Sequence, residues 1–157
     1  MKIAETVTCG GSGFDRAAEL RESAASIWAQ PESRSILLWR GKPLVHNADL
    51  VRLPTDHLVF AKRYMQIFLG KTEAQAPLFA ADISAWEPES FDAESLNTFL
   101  DPTEQNHPDL PADHGFLELR TIMTGLTAED AELAATAKAV FGWHRSHQFC
   151  SACGSES

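Results

Sequence analysis

The chain has 157 residues with 44 % apolar side chains, enough for one core-bearing domain plus a small appendage. A net charge of −9 and a pI near 5.0 exclude a non-specific nucleic-acid binder, since phosphate binding draws mainly on Lys and Arg. Met1 to Gly13 lacks the apolar stretch of a secretory signal, and no apolar run nears the roughly 20 residues of a membrane span. The three cysteines make no disulfide framework, so a cytoplasmic protein without a membrane partner is expected.

In chain order, Cys9-Gly10-Gly11-Ser12-Gly13 predicts a poorly ordered start over residues 1–13. Phe14 to Glu22 has short helical character, and Pro31 ends the segment after it. Ser35 to Trp39 is a buried-strand candidate, turned by Arg40-Gly41-Lys42-Pro43, with Leu44-Val45-His46 returning as a hairpin. Met65–Leu69 and Pro77–Ile83 predict a second hairpin, with Gly70 to Ala76 as its loop. Residues 84–113 are rich in Pro, Asp, Glu and Asn and read as a surface loop, with Phe91–Leu100 as one short helix. Phe116, Leu119, Ile122, Met123 and Leu126 then fall at helical spacing, with Asp113 as a cap and Gly125 near the end. Thr127-x-x-Asp130 starts the next helix in capping-box fashion. Its apolar face is Leu133, Ala137, Val140, Phe141 and His144, which makes His144 a packed core histidine. The fold class is α+β: short antiparallel strands, two C-terminal helices, and a knuckle tail. The expected units are residues 1–126, a connecting helix over 127–147, and the tail 148–157.

Cys150-Ser151-Ala152-Cys153-Gly154 is the chain's most specific motif. Two thiolates in a tight turn supply half of a tetrahedral zinc set. A redox motif normally sits at a helix N-terminus, where the dipole lowers a thiol pKa, whereas this one follows a helix. Two incidental terminal cysteines are the remaining reading. His144 and His147 extend the motif toward four ligands, but the spacing is too compressed to close a tetrahedron. Arg120, within an apolar helical segment, reads either as a surface arginine covering hydrophobic area or as one facing an anion. Arg40 and Lys42 flank Gly41 in a basic turn that is solvated or faces a phosphate. The carboxylates Glu87, Glu89, Asp92, Glu94, Asp101 and Glu104 read as a solvated acidic loop rather than a general acid/base pair. No nucleophile elbow, phosphate-cradling glycine loop or Nudix box is present, so no catalytic residue is assigned.

The tail Ala137-x-Ala139-Val140-x-x-Trp143-His144-x-x-His147-x-Phe149-Cys150-x-x-Cys153-Gly154 resembles the junction in NADH pyrophosphatases of the Nudix hydrolase superfamily. Upstream, Phe116-Leu117-Glu118-Leu119-Arg120, Phe68-Leu69-Gly70 and Leu78-Phe79-Ala80 are similar to that family's N-terminal domain. Asp15-Arg16 with Leu20-Arg21, and Ser35-Ile36-Leu37, resemble the start of its bacterial members. The resemblance implies a degenerate Nudix-like N-terminal domain, a helix, a four-cysteine zinc ribbon, and then a catalytic Nudix domain. Cys150 and Cys153 would be the first two ligands of a structural zinc. Arg120 would contact substrate, and Arg40 falls near a basic position also tied to substrate. The implied reaction is hydrolysis of NADH or NAD to nicotinamide mononucleotide and AMP, with Mg or Mn held by Nudix-box glutamates. Some such enzymes remove NAD caps from RNA, and members are homodimers. This chain has neither the second cysteine pair nor the glutamate box. It reads as the front part of a longer protein and is expected to be inactive alone. The competing reading is a stand-alone, non-catalytic dimerisation module whose zinc is shared between two chains.

Overall fold

Ile36, Leu37 and Leu38 are all fully buried, so the strand β1 (Arg34–Trp39) is covered on both faces. That double cover is why it reads as an unbroken apolar run rather than an alternating one. The computed structural model describes residues 11–88, 104–150 and 152–155. The expected helix Phe91–Leu100 lies outside them, as do Cys9 and the carboxylates of Glu89, Asp92, Glu94 and Asp101.

β2 (Lys42–His46) returns from β1 through Arg40-Gly41, with φ of 51° and 79°. Two central residues with positive φ suit a two-residue hairpin, and the register pairs Trp39 with Lys42. Short strands β3 (Asp49–Leu50) and β4 (Leu53–Pro54) follow. β5 (Met65–Lys71) and β6 (Pro77–Asp82) form the second expected hairpin, with a bulge between Phe68 and Gly70. β7 (Gly115–Phe116) adds to β2. The sheet order is β3-β2-β1-β6-β5, with β4 on β1 and β7 on β2. β1 and β6 run parallel, so the sheet is mixed and not antiparallel throughout. These two central strands are the ones buried on both faces, the setting in which parallel pairing is found.

One face of the sheet carries Ile36, Leu38, Leu78 and Ala80 against Leu133, Ala134, Ala137 and Phe141 of the long helix. The other gathers Leu37, Trp39, Ala81, Ile83, Phe60 and Phe116. Helix α1 (Ala24–Trp28) sets Trp28 edge-on to Phe60 and Phe79, at 5.4 and 5.0 Å. The segment after β7 gives a single-turn helix α2 (Leu119–Ile122), then α3 (Ala128–Ser146). Thr127 caps α3 as expected, its hydroxyl accepting from the Asp130 N–H at 3.1 Å. The Asp130 carboxylate accepts from Arg52 at 2.6 Å, which pins α3 to the stretch between β3 and β4.

Four local expectations need correction. Phe116 to Leu126 is not one helix. Phe116 pairs with Leu44 and enters one core, whereas Leu119, Ile122, Met123 and Leu126 pack into the other. Asp113 caps nothing and instead pairs with two histidines. The Phe14–Glu22 helix is a 3-10 turn over Ala18–Ser23, because the Asp15 backbone bridges to Lys71 on the edge of β5. Ser12 is anchored as well, its N–H donating to Glu132 on α3 at 2.9 Å. His144 is half-buried and not a core residue, since Phe141 is the last residue of α3 to enter the core.

Candidate functional site

The β1–β2 turn presents Arg40 in a fixed frame. Its backbone N–H donates to the Ser84 hydroxyl at 2.8 Å. That hydroxyl in turn donates to the Asp82 carboxylate, which also accepts the Ser84 N–H. The Arg40 guanidinium lies 5.1 Å from the centre of the Trp39 ring and 3.9 Å from Glu87. Trp39 is itself held by its indole N–H donating to the Trp86 carbonyl at 2.9 Å. Lys42 departs from the solvated basic turn that composition implies. It is buried, with its ammonium 5.9 Å from the Trp39 ring centre.

Arg120 is exposed on α2. The residue before that helix, Glu118, accepts from Lys138 of α3 at 2.6 Å, and the Leu117 N–H donates to the Pro43 carbonyl at 3.2 Å. Lys138 also lies along the hairpin turn, close enough that a Cβ on Gly41 would meet its Cε at 3.4 Å. Lys138 thus bonds the residue before the Arg120 helix and passes beside the turn that carries Arg40. Beside the Arg40 turn, a cleft of about 650 Å³ is lined by Lys62, Trp86, Glu87, Gln105, His107 and Leu110. His107 is stacked at a tilt on Trp86, 4.4 Å between centres. Burial lowers its pKa, so the ring is neutral at pH 7, and Nδ1 accepts from the Asp109 N–H at 3.1 Å.

The cysteine turn follows α3. The Gly154 N–H donates to the Cys150 carbonyl and the Cys150 N–H to the Ser155 carbonyl, both at 2.8 Å. Gly154 adopts φ of 72°, a conformation that glycine takes without strain. The Cys153 thiol pKa is lowered to about 7, first by the Ser155 hydroxyl at 3.0 Å, then by the Ser155 backbone and by Cys150. Two soft donors on a closed turn suit half of a zinc set. Trp143 near the end of α3 and Phe149 just before Cys150 are 51 % and 61 % exposed, and His147 stacks on Trp143 at 5.2 Å.

Among the described residues, the one group of three or more clustered ligand-type side chains lies elsewhere: His46, Asp113 and His114. Sequence reasoning missed it. Asp113 and His114 are neighbours in sequence, but His46 lies far upstream, and the β2–β7 pairing is what brings it to them. The hydrogen bond from His114 is the main cause holding the Asp113 carboxyl below the ordinary aspartate range.

The family model described as the NADH pyrophosphatase-like rudimentary NUDIX domain matches residues 32–143, which includes Arg40 and Arg120 and stops short of the cysteine turn. The chain is also similar to a human protein, NAD(P)H pyrophosphatase NUDT13, mitochondrial, of Homo sapiens. The two are 35 % identical over 88 residues, covering 56 % of this chain and 23 % of that protein. No helix among the described residues is long and apolar enough to cross a membrane.

Proposed function

Because the chain belongs to the family of NADH pyrophosphatase-like rudimentary NUDIX domains, we propose that it is the N-terminal part of an NAD(H) pyrophosphatase, supplying substrate contacts, a dimer surface and a scaffold for a zinc ribbon. The observation that supports this reading is that Lys138, bonded to Glu118 at the start of the Arg120 helix, also passes beside the turn that carries Arg40. Guanidinium groups suit a dinucleotide's pyrophosphate, and the cleft with Trp86 and His107 beside Arg40 offers ring faces to a base or nicotinamide. Cys150 and Cys153 would hold the first half of the zinc site. Hydrolysis would belong to a partner Nudix domain carrying Mg or Mn, since this chain has no glutamate box. A dinucleotide substrate follows from the same reading, and the cysteine usage favours a reducing, cytoplasmic compartment. NAD-capped RNA would have to be held by its cap, because the net charge of −9 offers the RNA backbone little attraction.

Titrating NADH into the chain tests the substrate role. Saturable binding weakened by R120A and R40A is expected, and binding indifferent to both removes the assignment. A time course with NADH and Mn2+ should show no turnover. Turnover that survives repurification would overturn the inactive reading.

The exposed Trp143 and Phe149 beside the knuckle favour a second reading, a dimerisation module with zinc shared across a two-fold axis. Metal analysis separates the two, because a shared site holds half a zinc per chain.

A further inference from the structure

We propose that His46, Asp113 and His114 form a second metal site, independent of the cysteine turn, that takes a borderline divalent cation and Zn2+ in particular. Backbone pairing builds it. β2 and β7 run antiparallel with Leu44 opposite Phe116 and Val45 opposite Gly115. The same register carried one step further sets His46 across from His114, and their rings stack 4.7 Å apart, 7° from parallel. Asp113 adds a carboxylate between them. Oδ2 lies 3.0 Å from His46 Nε2, and Oδ1 lies 2.8 Å from His114 Nδ1. The loop bearing Asp113 and His114 is fixed by Asn106, whose amide donates to the Ala112 and His114 carbonyls at 3.2 and 2.9 Å.

The contacts around His46 supply a second argument. The Asn47 amide nitrogen, a donor, lies 3.0 Å from the same Nε2. Nε2 has one in-plane site: protonated, it donates to Asp113; unprotonated, its single lone pair accepts from Asn47 and leaves the acceptor-only Asp113 oxygen 3.0 Å away with no proton between them.

Two imidazoles and a carboxylate, with water in the remaining position, form an established donor set for zinc. Ligand bonds of about 2.0–2.2 Å place tetrahedral donor atoms about 3.4 Å apart. All three donor atoms already lie within 4.8 Å of one another. Binding requires the ring stack to open by rotation about χ2, a soft torsion in histidine. Side-chain exposures of 37 % for His46, 62 % for Asp113 and 17 % for His114 leave an ion a path from solvent.

The test uses the full chain with Cys150→Ser and Cys153→Ser, so that the knuckle cannot answer for the site. Zn2+ is titrated by calorimetry and followed by NMR of the histidine ring nitrogens. Saturable binding is expected, with metal-type shifts at His46 Nε2 and His114 Nδ1 and none at His57 or His107. H46A and H114A should each weaken binding by about tenfold or more, the loss that even outer-shell partners of metal sites produce. Ring shifts confined to His144 and His147 would overturn the proposal, and so would unchanged affinity in both alanine variants. Absence of saturable binding would overturn the proposal as well. Should H114A fail to fold, the ring shifts with both histidines present still decide the matter.

Discussion

Replacing Gly70 by alanine should be among the most damaging single-methyl changes in this protein. Gly70 has φ of +146° at the β5 bulge. A Cβ there would sit 2.0 Å from the Asp15 carbonyl oxygen, 2.7 Å from the Phe14 ring and 2.9 Å from the Arg16 Cα. Two of these neighbours are backbone, so no side-chain rotation relieves the overlap. Strain in a glycine-only backbone region costs about 1–3 kcal/mol. Displacing Asp15 also breaks its hydrogen bond from the Lys71 N–H, 2.9 Å long and worth about 0.5–1.5 kcal/mol. Together these give about 2–4 kcal/mol, a large part of the ~5–15 kcal/mol that holds a domain folded. At about 2–4 °C per kcal/mol for this size, Tm should fall by roughly 5–15 °C. Gly142 serves as the internal control. It lies within α3, and a Cβ there would meet nothing within 4 Å. Gly142→Ala should therefore stabilise by about 0.5–1 kcal/mol. Urea denaturation followed by tryptophan fluorescence reads both variants. A Gly70→Ala protein within about 0.5 kcal/mol of the parent, beside a stabilised Gly142→Ala, would refute the close-approach argument.

Other outcomes follow from the same packing. Thr127→Ala removes the α3 cap and should lower stability by about 1 kcal/mol in the same assay, whereas Thr127→Ser should retain most of it. Phe141→Ala empties a core position between α3 and the sheet and should cost about 3–5 kcal/mol by urea midpoint. Hydrogen bonds from Ser12, with the Arg16 guanidinium adding, hold the Glu132 carboxyl below the usual glutamate range. A depressed carboxyl stabilises the fold above its ordinary pKa and loses that contribution as pH falls through the folded value. The Ser12–Arg16 segment should therefore loosen on α3 only below the normal glutamate range, seen as faster amide exchange. Glu132→Gln should remove that pH dependence, and an unchanged acid limb would count against it.

Hairpin geometry and helix capping were legible because both are local. Arg40-Gly41 between two apolar runs, and Thr127 three residues before Asp130, each carry their structure within a few positions. The Arg40 turn was thus placed correctly from sequence, although its partners Glu87 and Ser84 come from beyond β6. Long-range pairing left no such mark. The parallel β1–β6 contact is invisible to periodicity, which reports burial and not direction. Phe116 misled for a different reason. Its spacing to Leu119 and Ile122 is helical, but the chain crosses from one side of the sheet to the other between them. His46 and His114 were likewise hidden, as the residues that bring them together are Leu44, Val45, Gly115 and Phe116.

The parallel pairing of β1 with β6 also fixes an order of events during synthesis. The two hairpins are local and can form as they emerge, but joining them requires β2 through β5 to be closed into one loop. Even then, the face bearing Ile36, Leu38, Leu78 and Ala80 lacks Leu133, Ala134, Ala137 and Phe141 until α3 arrives. A nascent chain that has delivered every strand but not residues 128–146 therefore presents a partly uncovered apolar sheet. At that stage the growing polypeptide is most exposed to chaperone capture, and a ribosome pausing before α3 should raise aggregation more than a pause anywhere after it.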